Sequence, residues 1–265
     1  MRLRFRYTKW GKIRFLGHRD LARCWERALR RARVPFASTE GFSPRPKLHF
    51  GLALPLGFES AAEYLDVDLE VDHAAAPGAP GPGEPGALVA LAGAVSAGLP
   101  DGVDVTAVAP VDAKGSLQSL VVACDWELVL DGVTPAVATA VLEGILGEES
   151  VVVERIRKGR TTRHDLRPGI ATLRVAGEVA HPGGGPATLV EAQLSAQDPS
   201  VKPAELLTLV AVGLGLPGGC VPGPLGGALA DPRVTRTTQW IDRDGARWEP
   251  LPLATHGTHL HGCAS

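Results

Sequence analysis

From its second residue the chain alternates cation and apolar group, with Arg2, Arg4 and Arg6 set between Leu3, Phe5 and Tyr7. A strict period of two fits an extended strand with one buried face. A second alternation runs through Leu65, Val67, Leu69 and Val71, and the residues between them are Asp66, Asp68 and Glu70. Placed side by side in one sheet, the two strands bury their apolar faces together and set arginine against carboxylate on the other face. Opposite charges across strands stabilise by roughly 0.2–1 kcal/mol a pair. The pairing therefore predicts a structural charge ladder. It argues against an open platform for stacking RNA bases, which would also need aromatic side chains where only Tyr64 stands near.

The segments around these strands give an order of elements. Lys9 to Lys12 reads as a turn, and Ile13 and Phe15 continue an extended segment. Leu21, Cys24, Trp25, Ala28, Leu29 and Ala32 fall at helical spacing, with Asp20 as N-cap and an end before Pro35. The outer face of that helix carries Arg23, Arg27, Arg30 and Arg31. Two prolines and a glycine make residues 41–46 an ordered loop, and Leu48, Phe50, Leu52 and Leu54 alternate as a strand. Residues 74–86 are a low-complexity Ala/Gly/Pro loop, residues 87–99 a small-residue helix, and residues 103–108 a strand. The order is β-α-β-β-α-β. After residue 116 it recurs without sequence identity: strand 120–130, a helix opened by Thr134 and Pro135 and ended at Gly147, strands 151–156, 171–175 and 188–194, helix 203–214, strand 234–241. That half has one extra strand. The expected fold is α+β, two tandem ferredoxin-like domains over residues 1–112 and 116–242, with a flexible tail over 243–265.

Charge supplies the functional reading. The net charge of −2 conceals a balance of +11 over residues 1–50 and −13 over the remainder. A second basic cluster gathers Arg155, Arg157, Lys158, Arg160, Arg163 and Arg167 against Glu154 and Asp165. Clustered cations attract polyanions and release counterions. The expected nucleic-acid or anion surface is a groove formed by Lys9, Trp10, Lys12, Arg14, His18, Arg19, Arg45, Lys47 and His49 with Arg157, Lys158, Arg160 and Arg163. Trp10, in a turn beside lysines, is the candidate for base stacking. His18 and Arg19, at a helix N-terminus, could complete a phosphate pocket.

Other chemistry is weaker. With 45% hydrophobic and 21% charged residues the chain is globular, not disordered. The N-terminal alternation is not a secretory signal, residues 87–99 are too short to span a bilayer, and the four cysteines show no CxxC spacing. A reduced cytoplasmic protein without a zinc ribbon is expected. No phosphate-binding glycine motif stands between a strand and a helix, and no cofactor is expected. His256, His259, His261 and Cys263 are metal-competent types in a Gly-rich terminal tail, so no metal site is assigned. His18, His49 and His164 are the general acid–base candidates for a metal-independent endoribonuclease, with Lys47 as transition-state stabiliser, on architectural analogy alone. Asp20, Glu63 and Asp66 read as charge partners, the latter two for Arg14 or Arg45, in preference to a carboxylate site.

Residues 10–35 and 41–69 resemble the radical-SAM-linked protein family, a bacterial domain of unknown function. Gly11, Arg14, Phe15, Gly17, His18, Asp20, the run 41–46, Pro55, Gly57, Glu63, Tyr64 and Asp66 carry the resemblance, which is specific over residues 2–70 and weaker beyond, where Asp165-Leu166-Arg167-Pro168 is a short echo. Members are free-standing or fused to a radical-SAM protein, so the resemblance implies a partner and not a reaction. The chain lacks the CxxxCxxC motif that holds the cluster of a radical-SAM enzyme. The expected function is a non-catalytic accessory protein that binds structured RNA, tRNA or rRNA, and presents it to a radical-SAM partner. The alternatives are a protein-docking module for that partner and the endoribonuclease.

Overall fold

The computed structural model describes residues 1–40, 42, 44–70, 86–112, 115–180, 185–216 and 233–252. The Ala/Gly/Pro loop, Gly41, Ser43 and the His-rich tail segment lie outside the described residues. The protein is α+β, with one large, mainly antiparallel sheet and few helices. Among the described residues no helix is long and apolar enough to cross a membrane.

The first half contains β1 (Arg2–Lys9), α1 (His18–Arg31), β2 (Leu48–Phe50), β3 (Glu59–Asp68), α2 (Ala87–Ser96) and β4 (Val105–Val111). β1 lies between β4 and β3, antiparallel to both, and β2 runs antiparallel on the other edge of β3. The second half contains α3 (Leu117–Leu120), β5 (Val121–Asp131), α4 (Pro135–Gly147), β6 (Val152–Arg157), β7 (Arg160–Asp165), β8 (Ile170–Glu178), β9 (Ala187–Ser195), α5 (Pro203–Gly213), β10 (Arg233–Arg243) and β11 (Ala246–Trp248). Its strands follow the order β10-β5-β9-β8, again antiparallel throughout. β3 and β10 join the halves through a short parallel pairing, Thr235 with Glu59 and Arg236 with Ser60. One sheet thus runs through both halves.

Phe5, Leu65 and Val67 bury one face under α1, whose own buried stripe is Leu21, Trp25, Ala28 and Leu29. Trp126, Leu128 and Val190 do the same under α4 and α5. The N-cap of α1 is Gly17, not Asp20. Asp20 sits in the first turn, where a carboxylate is favoured by the helix dipole, and pairs with Arg23.

On the opposite face the ladder has two rungs, Arg2 to Asp68 and Arg4 to Asp66, each at 2.7 Å. The third differs from expectation. Arg6 is in register with Tyr64, and its ion pair goes to Glu249 at 3.6 Å. Arg4 also donates to the Pro250 carbonyl at 3.2 Å. The start of the expected tail is therefore structure: β11 pairs with β10, and residues 249–251 cover the arginines. Arg4 is 2% exposed, so this face of the first half is closed to a ligand.

The extra strands of the second half form a separate ribbon. β6 pairs only with β7, residue for residue from Val152–Asp165 to Arg157–Arg160. β7, like α3 and β11, was not foreseen from the sequence; its residues, RTTRHD, carry no apolar alternation.

Candidate nucleic-acid interface

The apolar stripe of α1 fixes which of its residues remain outside. Arg19, Arg23, Arg27, Arg30 and Arg31 are all exposed. Among the described residues their one ion pair is Arg23 to Asp20, at 3.1 Å between two exposed side chains. Such a pair is worth at most about 1 kcal/mol. Arg30 donates to the Pro44 carbonyl at 3.4 Å, which ties the following loop to the helix. In that loop Arg45 and Lys47 are exposed, as is Lys12 in the turn before the helix, and none of the three has an ion pair among the described residues. The result is a cationic surface along one helix and the two segments flanking its ends.

The remaining candidates divide. Trp10 is 38% exposed in its turn, anchored by a bond from its N–H to the Gly102 carbonyl at 2.8 Å. Arg14 is half-buried, 4.9 Å over the Phe15 ring and 3.8 Å from Glu59. Lys9 is buried, and its ammonium donates to the carbonyls of Leu16 at 3.0 Å and Arg14 at 3.4 Å. It is not a surface cation. His18 packs edge-on to Phe50 with ring centroids 4.7 Å apart, His49 meets Asp68 at 2.9 Å, and His164 meets the Thr162 hydroxyl at 2.9 Å. Each of the three histidines has a different neighbour among the described residues. Glu63 and Asp66 are charge partners, but of Arg236 and Arg4 in place of Arg14 and Arg45.

The second basic cluster sits elsewhere. Arg155 is neutralised by Glu205, with two bonds of 2.7 and 2.8 Å, and Arg163 meets Glu154 at 3.2 Å. Arg167 turns inward to the Leu146 and Ile170 carbonyls. Lys158 and Arg160 are exposed at the ribbon tip, and the Arg157 side chain lies outside the described residues. The ribbon leads into β8, the far strand of the sheet. Five strand spacings separate β1 from β8, about 24 Å. Among the described residues the ribbon is held to the second half, by Arg155 on Glu205 and Val153 on the second core, on the far side of the sheet order from α1's strands. The expectation treated residues 151–156 as a core strand, whereas they form an inserted hairpin.

On the far face of the second half two carboxylates meet, and Arg174 pairs with one of them, Glu191. Glu127 and Glu191 stand directly opposite across β5 and β9. Burial, and then the Glu191 charge, push the Glu127 carboxyl up.

Asp68 links the ladder to pH. Partial burial would raise its carboxyl, but hydrogen bonds from Arg2 and His49 and their charges hold it below the usual carboxylate range. A carboxyl depressed by folding contributes stability that is complete above its unfolded value and lost as pH falls through its folded value. Asp68→Asn is expected to flatten the decline of the thermal midpoint between about pH 5 and pH 2. A pH series of melting curves for the two proteins measures it; parallel curves would contradict the assignment.

What sequence reading missed is a cleft of about 570 Å³ in the first half, with Gln118 of the second half at its edge. Its walls include Leu48, Phe50 and Leu52 and the first turn of α1 with His18; its floor includes Tyr7, Lys9 and Glu63. Glu63 donates nothing and accepts two bonds from Arg236, at 2.5 and 3.1 Å, while Arg236 also reaches the Leu52 carbonyl at 2.8 Å. Burial, and to a lesser degree the Glu63 charge, keep the Tyr7 phenol well above its ordinary value. Burial lowers the Lys9 ammonium, opposed by the Glu63 charge. A signal was present: Glu63 occupies the parity of Leu65 and Val67, a carboxylate in an apolar register.

Comparison with family profiles gives a match over residues 2–203 to a family described as an uncharacterized protein conserved in bacteria, DUF2344. No curated protein matches the chain.

Proposed function

Because the chain belongs to the DUF2344 family, whose description assigns no activity, the function must come from the site, and we propose that the protein is an RNA-binding accessory protein whose contact surface is α1 with residues 9–19 and 44–50. The observation that carries this reading is the row of exposed arginines on α1, which apart from Arg23 have no carboxylate partner among the described residues, beside Lys12, Arg45 and Lys47. Arginine both pairs with phosphate and stacks on bases. Each half follows the strand order 4-1-3-2 with antiparallel neighbours, which supports reading both as ferredoxin-like units, the second carrying the β6–β7 ribbon as an insertion. The radical-SAM partner to which the RNA would be presented rests on the family resemblance of residues 2–70.

Ultraviolet crosslinking of RNA in cells, followed by sequencing of the RNA and mapping of the crosslinked peptides, tests the reading. Crosslinks within residues 9–31 and 44–56 are expected, on a structured RNA. Crosslinks confined to residues 152–165, or none above background, would overturn it.

A further inference from the structure

The cleft of the first half has a composition that the basic surface beside it does not explain. Its walls are apolar and aromatic, and its polar groups gather at the floor. Tyr7 is 2% exposed, and its hydroxyl has no hydrogen-bond partner among the described residues. The Lys9 ammonium has three donors and uses two, on the carbonyls of Arg14 and Leu16. Both bonds from Arg236 to Glu63 end on Oε1, so Glu63 Oε2 has no hydrogen-bond partner among the described residues. Buried polar groups are normally satisfied. Here a spare donor, a hydroxyl and a spare carboxylate oxygen line one cleft, open to it and not sealed in the interior, where a ligand can meet them.

That set suits a ligand with a flat apolar body and an edge carrying both acceptors and N–H donors. The Phe50 and His18 rings in the wall offer aromatic surface to such a body. The volume of about 570 Å³ lies within the usual range for a small-molecule site, roughly 300–1,000 Å³. At the mouth is the N-terminus of α1, capped by no side chain. The first intrahelical bonds are donated by Asp20 and Leu21, which leaves the His18 and Arg19 N–H groups for an anion. Arg19 is exposed beside them.

We propose that this cleft takes one unstacked nucleobase, its edge on Tyr7, Lys9 and Glu63 and its phosphate at the first turn of α1. The proposal rests on the RNA-binding reading for its source of the base; a free nucleoside monophosphate offers the same chemistry and is the second possible source. Binding the base of a bound RNA selects unpaired nucleotides, because a paired base must first be unstacked.

The test uses the full chain, a single-stranded RNA containing 2-aminopurine, and AMP. Ala53→Trp places an indole in the mouth at an exposed lining position, and Tyr7→Phe removes one hydroxyl. In the wild type, 2-aminopurine emission is expected to rise on binding as the base leaves its neighbours. Ala53→Trp is expected to abolish that rise and weaken RNA binding by roughly 5- to 20-fold, the effect of one lost base contact. Tyr7→Phe is expected to weaken it less, with the fold intact by melting. RNA binding with no rise in emission, or a rise unchanged in Ala53→Trp, would overturn the base pocket while leaving RNA binding standing. Saturable AMP binding that Ala53→Trp blocks, with no RNA binding at low salt, would support the cleft with a free nucleotide as its source and overturn the RNA reading instead. Absence of both would overturn both.

Discussion

Glu63→Gln is expected to destabilise the protein by about 3–5 kcal/mol, because it leaves the buried Arg236 guanidinium without its counter-charge. Arg236 is fully buried, and its guanidinium lies 5.5 Å over the Trp126 ring. Glu63 belongs to β3 and Arg236 to β10, so the pair spans the junction of the halves. Leu52, Leu54 and Phe58 of the first half also pack there against the core of the second, and Arg4 reaches the Pro250 carbonyl. The parallel pairing of β3 with β10 comprises two residue pairs, helped by Gln239 donating to the Ala62 carbonyl at 2.6 Å and the Ser60 hydroxyl donating to the Arg236 carbonyl at 3.2 Å. A buried ion pair is itself weak in net terms, since desolvation offsets most of the attraction. The large effect comes from removing one partner only. Glu63→Gln combined with Arg236→Met is therefore expected to recover most of the loss. Denaturant titration of the two variants measures both quantities. A single variant within about 1 kcal/mol of wild type would show that the junction does not depend on this pair, since losing a partner from a buried pair costs several times that.

The junction also shows where sequence reading stopped. Alternation gave β1 and β3 as antiparallel neighbours with arginines facing carboxylates; which arginine meets which carboxylate, Arg2 with Asp68 and Arg4 with Asp66, comes from the structure. The helical stripe placed Leu21, Trp25, Ala28 and Leu29 correctly, and Thr134 with Pro135 opened α4 as expected. These signals are local, and each is repeated along its element. The partner of Arg6 was not legible, because Glu249 lies 243 residues away on a segment with no periodic pattern. The cleft was illegible for a related reason. Tyr7, Phe50 and Glu63 come from three strands, and nothing in their spacing sets the distance between β2 and β10 on the edge of β3. Lys9 was read as a surface cation beside Trp10, yet its parity, two beyond Tyr7, is that of the buried face. Composition gave the excess of cations in the first 50 residues but could not say that the second cluster is partly neutralised by Glu205 and Glu154 on an inserted ribbon.

The second large effect concerns binding. Arg19→Glu, Arg27→Glu and Arg31→Glu together are expected to weaken RNA binding by about two orders of magnitude at 0.1 M salt, from the loss of three phosphate contacts. All three side chains are exposed and outside the buried stripe, so the fold is expected to keep its stability within about 0.5 kcal/mol per site. The matching change on the ribbon, Lys158→Glu with Arg160→Glu, is expected to alter affinity by less than about threefold, because that tip stands apart from the contact surface.

The salt dependence of binding separates these expectations from a general effect of charge. Each phosphate contact contributes roughly 0.7–0.9 to the slope of log affinity against log salt. With the RNA recovered by crosslinking as probe, the triple α1 variant is expected to show a slope shallower than wild type by about 2–3, and the ribbon variant a slope unchanged. Equal slopes for wild type and the α1 variant, or a loss of slope confined to the ribbon variant, would contradict the assignment of α1 as the surface that meets nucleic acid.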